Sequence, residues 1–150
     1  MDTIQLIKML EPPTGKVDMV LDTDAYNEID DQFAISYALR STDRTDVKAI
    51  YAAPFWNGKS TGPLDGMEKS YDEILKIVKL AGREDITPSV FKGSGEYLKD
   101  EKTPVDSPAM RDLIDRARKY TSDNPLYVVA IGAITNVASA IIAAPDIIDK

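Results

Sequence analysis

The stretch "VLDTDAYNEIDDQFA", residues 20–34, joins the end of an apolar run to a dense group of acids. Five carboxylates fall within ten positions: Asp22, Asp24, Glu28, Asp30 and Asp31. At an effective dielectric near 20, two like charges about 4 Å apart repel by roughly 4 kcal/mol, so a folded chain must compensate such a group. Water, protonation or a bound cation can provide that compensation.

The composition limits the chemistry that these acids can serve. The chain has 150 residues and is 43% hydrophobic, which suits one domain with a real core. A net charge of −7 disfavours nucleic acid or an anionic membrane as the main partner. Because the chain has no Cys and no His, its metal ligands would be oxygen atoms, which favour a hard cation.

The first residues do not resemble a targeting segment. "MDTIQLIKMLEPPTGK", residues 1–16, mixes acids with bases and is interrupted by Pro12 and Pro13. No stretch approaches the roughly 18 apolar residues of a membrane helix. We therefore expect a cytoplasmic protein.

Short apolar runs alternate with segments of helical periodicity along the chain. The runs predict buried strands at 17–21, 47–53 and 126–132, and a short β-like piece lies near 88–91. Helices are predicted at 31–39, 67–81, 108–120 and 134–144, with a long loop at 54–66. This alternation predicts one α/β domain over residues 1–150, with an open, mainly parallel sheet and helices on both faces.

Several residues carry more local signals. Asp30 is predicted to cap the helix at 31–39, whose apolar pattern includes Phe33 and Tyr37. Ser107, followed by proline, is typical of a helix start, and Gly82 of a helix end.

Two polar segments are expected to face one crevice, because ligands of parallel sheets collect beyond the carboxyl ends of strands. The acidic group follows the first strand, and "GAITN", residues 132–136, follows a later one. An EF-hand does not explain the acids, since counting from Asp22 places Asn27 at position 6 and Phe33 at position 12. A helix cap with a charged first turn would account for Asp30 and Asp31 alone. The added Asp22 and Asp24 favour a site for calcium or magnesium.

The segment "DTDAYNEIDD", residues 22–31, resembles the N-terminal signature D-x-D-P-G-x-D-D of the inosine/uridine-preferring nucleoside hydrolase family. "SVFKGS", residues 89–94, is similar to the family's P-V-x-x-G-A, and "AIGAITNVASAI", residues 130–141, to its G-P-L-T-N-x-A. The likeness spans about residues 17–145. It implies a Rossmann-like fold and indicates that this chain is the N-terminal portion of a longer nucleoside hydrolase-like protein.

The resemblance also implies a metal centre. In it, Asp24 and Asp31 bind Ca²⁺, and Asp24 also takes the proton of the attacking water. The backbone carbonyl of Thr135 is a further calcium ligand, and Asp22 supports the group from behind. The family's second half supplies another metal-binding aspartate that has no counterpart here, so we expect residues 1–150 alone to bind metal weakly and to have little activity.

For the substrate, the resemblance implies that Asp30 holds a ribose hydroxyl and that Asn57 contacts the ribose. The chain departs from the signature, because two extra residues lie between Asp24 and Asp30 and "AYNE" replaces Pro-Gly. Two interpretations of Asn27 and Glu28 therefore stay open. They contact the metal or the sugar, or they only accommodate the insertion.

The function predicted in this way is calcium-dependent hydrolysis of the N-glycosidic bond of ribonucleosides, which releases ribose and a free base for purine or pyrimidine salvage. The partner is a small-molecule ribonucleoside, and the complete enzyme is expected to be a homo-oligomer. The alternative is a magnesium-dependent phosphatase of the haloacid dehalogenase type, which also has D-x-D after its first strand. In those phosphatases Gly-Thr usually follows the second aspartate, whereas Ala25 and Tyr26 follow it here. A non-catalytic metal-binding or assembly module is the third possibility.

Overall fold

A computed structural model describes residues 3–150. Four strands form one all-parallel sheet, and they are β1 (Val17–Thr23), β2 (Thr45–Ala52), β3 (Val90–Lys92) and β4 (Tyr127–Ala130). Their order in the sheet is β3-β2-β1-β4. The predicted open, parallel α/β sheet is confirmed.

Five α-helices occur in the described part of the chain: α1 (Thr3–Met9), α2 (Ile29–Arg40), α3 (Pro63–Leu80), α4 (Pro108–Ala117) and α5 (Thr135–Ala143). Short 3₁₀ helices cover Glu84–Ser89 and Pro145–Ile147. None of the described helices is long and apolar enough to cross a membrane.

The core has two halves because side chains of a strand alternate between the faces of the sheet. Met19 and Leu21 of β1 pack with residues of α2 and α3, whereas Val20 packs with residues of α4 and α5. Helices therefore cover both faces, as predicted. The same alternation decides the direction in which the polar residues at the end of β1 point.

The helix after β1 differs from the prediction in its start and in its buried face. Glu28, not Asp30, occupies the N-cap position, and Asp30 lies in the first turn. Phe33 and Tyr37 are 70% and 78% exposed, because the helix turns Ile35 and its neighbours toward the sheet instead. Spacing alone could not choose between two apolar stripes on one helix.

Two further expectations need correction. The long loop predicted at 54–66 ends earlier, because α3 already begins at Pro63 and its Asp65 carboxylate accepts a hydrogen bond from the Thr61 backbone N–H (2.8 Å). The strand predicted to be buried at 126–132 is half-exposed, with Val128 at 37%. Among the described residues, β4 pairs only with β1 and so lies at the edge of the sheet.

The strand order creates a switch point beside β1. The chain runs outward from β1 to β2 and β3 on one side, and then returns to place β4 on the other side of β1. The two loops that leave β1 and β4 therefore diverge to opposite faces and open a crevice, which is where open α/β sheets bind their ligands. The acidic group lies at this crevice.

The end of α3 provides a test of the backbone conformation. Gly82 has φ = 66°, which is the left-handed region that side chains with a Cβ disfavour. We predict that Gly82→Ala lowers the free energy of unfolding by about 1 kcal/mol, measured by urea denaturation. Gly58→Ala, at a loop position with open space around it, is the matched control and should change stability by less than about 0.5 kcal/mol.

Candidate active site

The end of β1 sends its polar side chains in different directions. Asp22 lies on the same side as Val20 and faces α5, whereas Thr23 lies on the same side as Leu21 and faces α2. Asp24 follows the last residue of the strand. Neighbouring segments dock at the same point, since the Ile131 N–H donates to the Asp22 carbonyl (2.9 Å).

Asp22 is fully buried and is held by an asparagine of α5. Asn136 Nδ2 donates to Asp22 Oδ1 (2.8 Å) and to the carbonyl of Ala52 (3.3 Å), while Asn136 Oδ1 accepts from the Ser94 N–H (2.7 Å). One buried amide thus ties together the carboxyl ends of β1 and β2 and the segment after β3. Gly93 is required there, because an added Cβ would lie 2.3 Å from Asn136 Nδ2.

Asp31 reaches the same region from the first turn of α2. It is 5% exposed, and Thr23 Oγ1 donates to its Oδ1 at 2.5 Å. A carboxylate at this end of a helix is also favoured by the helix dipole. The hydroxyl of Thr23, the last residue of β1, therefore fixes Asp31 against the strand.

Asp24 is 6% exposed and begins the loop after β1. Asn27 Nδ2 donates to its Oδ2 at 3.0 Å. The loop after β4 approaches so closely that a Cβ on Gly132 would lie 2.7 Å from Asp24 Oδ1. A residue larger than glycine at position 132 would therefore displace this carboxylate.

The three buried aspartates resist ionisation. Burial raises the pKa of Asp22 to about 7, and the charge of Asp24 adds to this shift against the hydrogen bond from Asn136. Burial also raises the pKa of Asp24 and of Asp31, and neighbouring carboxylates add to both shifts. No Lys or Arg of residues 3–150 forms an ion pair with any of the three. Within this part of the chain, no basic side chain therefore neutralises the three aspartates through an ion pair.

The oxygen atoms of these residues could supply part of a site for a hard cation. Asp22 Oδ2 is buried without a hydrogen-bond partner among the described residues, and all available donors are oxygen atoms. However, the described residues contain no group of three Asp or Glu side chains that could hold a metal ion unaided. Calcium takes six to eight oxygen ligands, so a calcium ion at these aspartates would also need backbone carbonyls and further oxygen ligands.

The other residues implied by the family resemblance lie around this centre. Thr135 is buried at the start of α5, three residues after Gly132. Asp30 is exposed in the first turn of α2, and Asn57 is exposed in the loop after β2. The amide of Asn57 contacts protein groups, since its Nδ2 donates to Asn27 Oδ1 (2.5 Å) and its Oδ1 accepts from the Lys59 N–H (2.9 Å).

Two residues of this region had no assigned role in the sequence analysis. Asn136 lies in the quoted segment at 130–141, yet its bond to Asp22 joins residues 114 positions apart. Asn27 lies in the two-residue insertion, where two interpretations stayed open. For Asn136, the available signal was its match to the asparagine of the family's G-P-L-T-N-x-A segment. For Asn27, it was an amide side chain just after a predicted strand.

A family model gives the comparison that decides the class of protein. The model described as inosine-uridine preferring nucleoside hydrolase matches residues 19–150. The chain belongs to this family. Searches of curated proteins and of solved structures gave no match. The nucleoside hydrolase family indicates hydrolysis of the N-glycosidic bond of nucleosides as the class of reaction, with a nucleoside as substrate and a metal ion as cofactor.

The raised pKa of the buried Asp22 predicts that the stability of the metal-free protein depends on pH. Its folded-state pKa of about 7 exceeds the ordinary 3.8, so its contribution to stability is present below pH 4 and is lost as the pH rises to about 7. Relative to Asp22→Asn, the wild-type free energy of unfolding should fall by up to about 4 kcal/mol over that range. Urea denaturation in chelator checks this.

Asp123→Asn, which removes an exposed carboxylate, is the matched control for this comparison. Its free energy of unfolding relative to the wild type, measured at the same pH values, gives the baseline for this comparison. A difference between Asp22→Asn and the wild type that does not change with pH would contradict the raised pKa of Asp22.

Proposed function

We propose that this chain forms the N-terminal part of a calcium-dependent hydrolase that cleaves ribonucleosides to ribose and a free base. The observation that carries the proposal is the placement of Asp22, Asp24 and Asp31 at the switch point of the sheet with raised pKa values and no ion pair among residues 3–150. The family match supports the reaction class. It favours a nucleoside hydrolase over a phosphatase or a non-catalytic module.

In this proposal, the calcium ligands of the chain are the Asp24 and Asp31 carboxylates and the backbone carbonyl of Thr135. When bound, calcium would orient a water molecule and make it more acidic. Asp22, which is held by the buried hydrogen bond from Asn136, would support the group from behind. This assignment is supported because calcium binds oxygen ligands and because no ion pair within residues 3–150 neutralises these carboxylates.

Cleavage of an N-glycosidic bond passes through a sugar with oxocarbenium character, so positive charge develops on the ring while a water attacks. Asp24 would accept the proton of that water as general base, and the neighbouring carboxylates would stabilise the positive sugar. Asp24 suits the base role better than Asp22, because it lies just beyond the end of β1 and is 6% exposed, whereas Asp22 is fully buried.

Two exposed residues would hold the ribose. Asp30 lies in the first turn of α2, and Asn57 lies in the loop after β2, where it contacts Asn27. Asn57 Nδ2 uses one hydrogen toward Asn27 and has a second one for a sugar hydroxyl. Cytoplasmic location, a salvage role and homo-oligomer formation stay predictions from the sequence.

The proposed base is tested by Asp24→Asn in the full-length protein. The side chain keeps its shape but loses the ability to accept a proton, so we expect nucleoside turnover to fall by about 10²-fold or more. The assay measures release of base and of reducing sugar in calcium-containing buffer. Exposed Asp123→Asn is the matched control and should retain wild-type turnover.

Turnover within threefold of the wild type in Asp24→Asn would contradict the assigned role. The same preparations should be tested with phosphomonoesters. Release of phosphate without release of base from nucleosides would support the phosphatase alternative, and calcium binding without either reaction would support the non-catalytic module.

A further inference from the structure

The two-residue insertion after β1 is attached to the loop after β2. The ring of Tyr26 stacks on that of Phe55, with centroids 6.5 Å apart and planes 19° from parallel. Lys59 Nζ donates to the backbone carbonyl of Asn27. Asn57 Nδ2 donates to Asn27 Oδ1 at 2.5 Å. The inserted residues are therefore held by packing and by hydrogen bonds.

Asn27 is at the centre of these contacts. Its backbone N–H donates to the Asp24 carbonyl (2.7 Å), and its side-chain Nδ2 donates to Asp24 Oδ2 (3.0 Å). The opposite end of the same amide accepts from Asn57. A single side chain thus connects Asp24 with the loop that carries Asn57.

The loop after β2 is itself anchored to the body of the protein. Ser60 Oγ donates to the Phe55 carbonyl (3.0 Å), and Phe55 is buried. Helix α3 packs directly on this loop, because a Cβ on Gly66 would lie 2.0 Å from the Phe55 carbonyl oxygen. The connection through Asn27 therefore holds Asp24 against a fixed support.

We infer that Asn27 is a positioning residue, which orients the carboxylate of Asp24 for proton transfer and fixes its distance from the loop of Asn57. This inference rests on the proposed function. The role requires a side chain that donates to a carboxylate at one end and accepts from an amide at the other, which asparagine provides. An aspartate of the same shape would accept at both ends and would repel Asp24.

The test uses Asn27→Asp and Asn27→Gln in the full-length protein with nucleoside substrate. Asn27→Asp keeps the shape and the contact with Asn57 but loses the donor to Asp24, so we expect kcat to fall about 10- to 100-fold while KM stays within about threefold. Asn27→Gln keeps both the donor and the acceptor and should recover kcat to within about fivefold of the wild type.

Asn124→Asp provides the matched control, because it makes the same substitution at an exposed position in the loop after α4. It should leave kcat and KM unchanged. The urea midpoint of each variant separates a positioning role from a structural one. A positioning role predicts a loss of kcat in Asn27→Asp with a midpoint close to that of Asn124→Asp.

Several results would overturn the inference. They are a kcat of Asn27→Asp within threefold of the wild type, an Asn27→Gln variant as impaired as Asn27→Asp, or a loss of kcat that follows a fall in the urea midpoint. If Asp24→Asn abolishes turnover in the same experiment, these results leave the proposed function intact. Absence of nucleoside hydrolysis by the wild-type enzyme would instead overturn the proposed function and this inference together.

Discussion

The burial of three neighbouring carboxylates away from water is the constraint on which the arrangement of this site depends, and the charges of nearby acids add to its cost. The alternation of β1 directs Asp22 toward α5, the first turn of α2 brings Asp31 against Thr23, and Asp24 follows Thr23 at the end of the strand. Each carboxylate accepts a hydrogen bond from a neutral side chain, yet burial still raises the pKa of all three. Hydrogen bonds from neutral side chains stabilise the ionised carboxylates less than burial destabilises them. A bound divalent cation would instead favour the ionised form and lower their pKa values.

The fold explains why the site lies at this position. Strand order β3-β2-β1-β4 places the switch point beside β1, and the close approach of Gly132 to Asp24 needs a residue without a Cβ. The buried amide of Asn136 then joins three segments at the carboxyl ends of the strands. The same residues that complete the packing also orient the acids. Stability and chemistry are therefore coupled at this edge of the sheet.

Much of this organisation could be predicted from the sequence. Local patterns gave the alternation of strands and helices, the cap at Ser107, whose Oγ accepts from the Met110 N–H (3.1 Å), and the acids after the first strand. Burial was harder to predict, because it depends on neighbours that the local pattern does not contain. Phe33 and Val128 are exposed for this reason, one on the outer face of α2 and one on an edge strand. The roles of Asn27 and Asn136 depend on contacts 30 and 114 positions away, which spacing could not indicate.

The central claim is that a cation compensates these carboxylates, and carbon-13 NMR of the aspartate carboxyl groups tests it most directly. In metal-free protein, Asp22, Asp24 and Asp31 should titrate above the ordinary aspartate range, as their burial requires. Addition of calcium to the full-length protein should lower all three pKa values, with the largest change at Asp24 and Asp31. Ordinary pKa values without metal, or titration curves that calcium leaves unchanged, would contradict the claim.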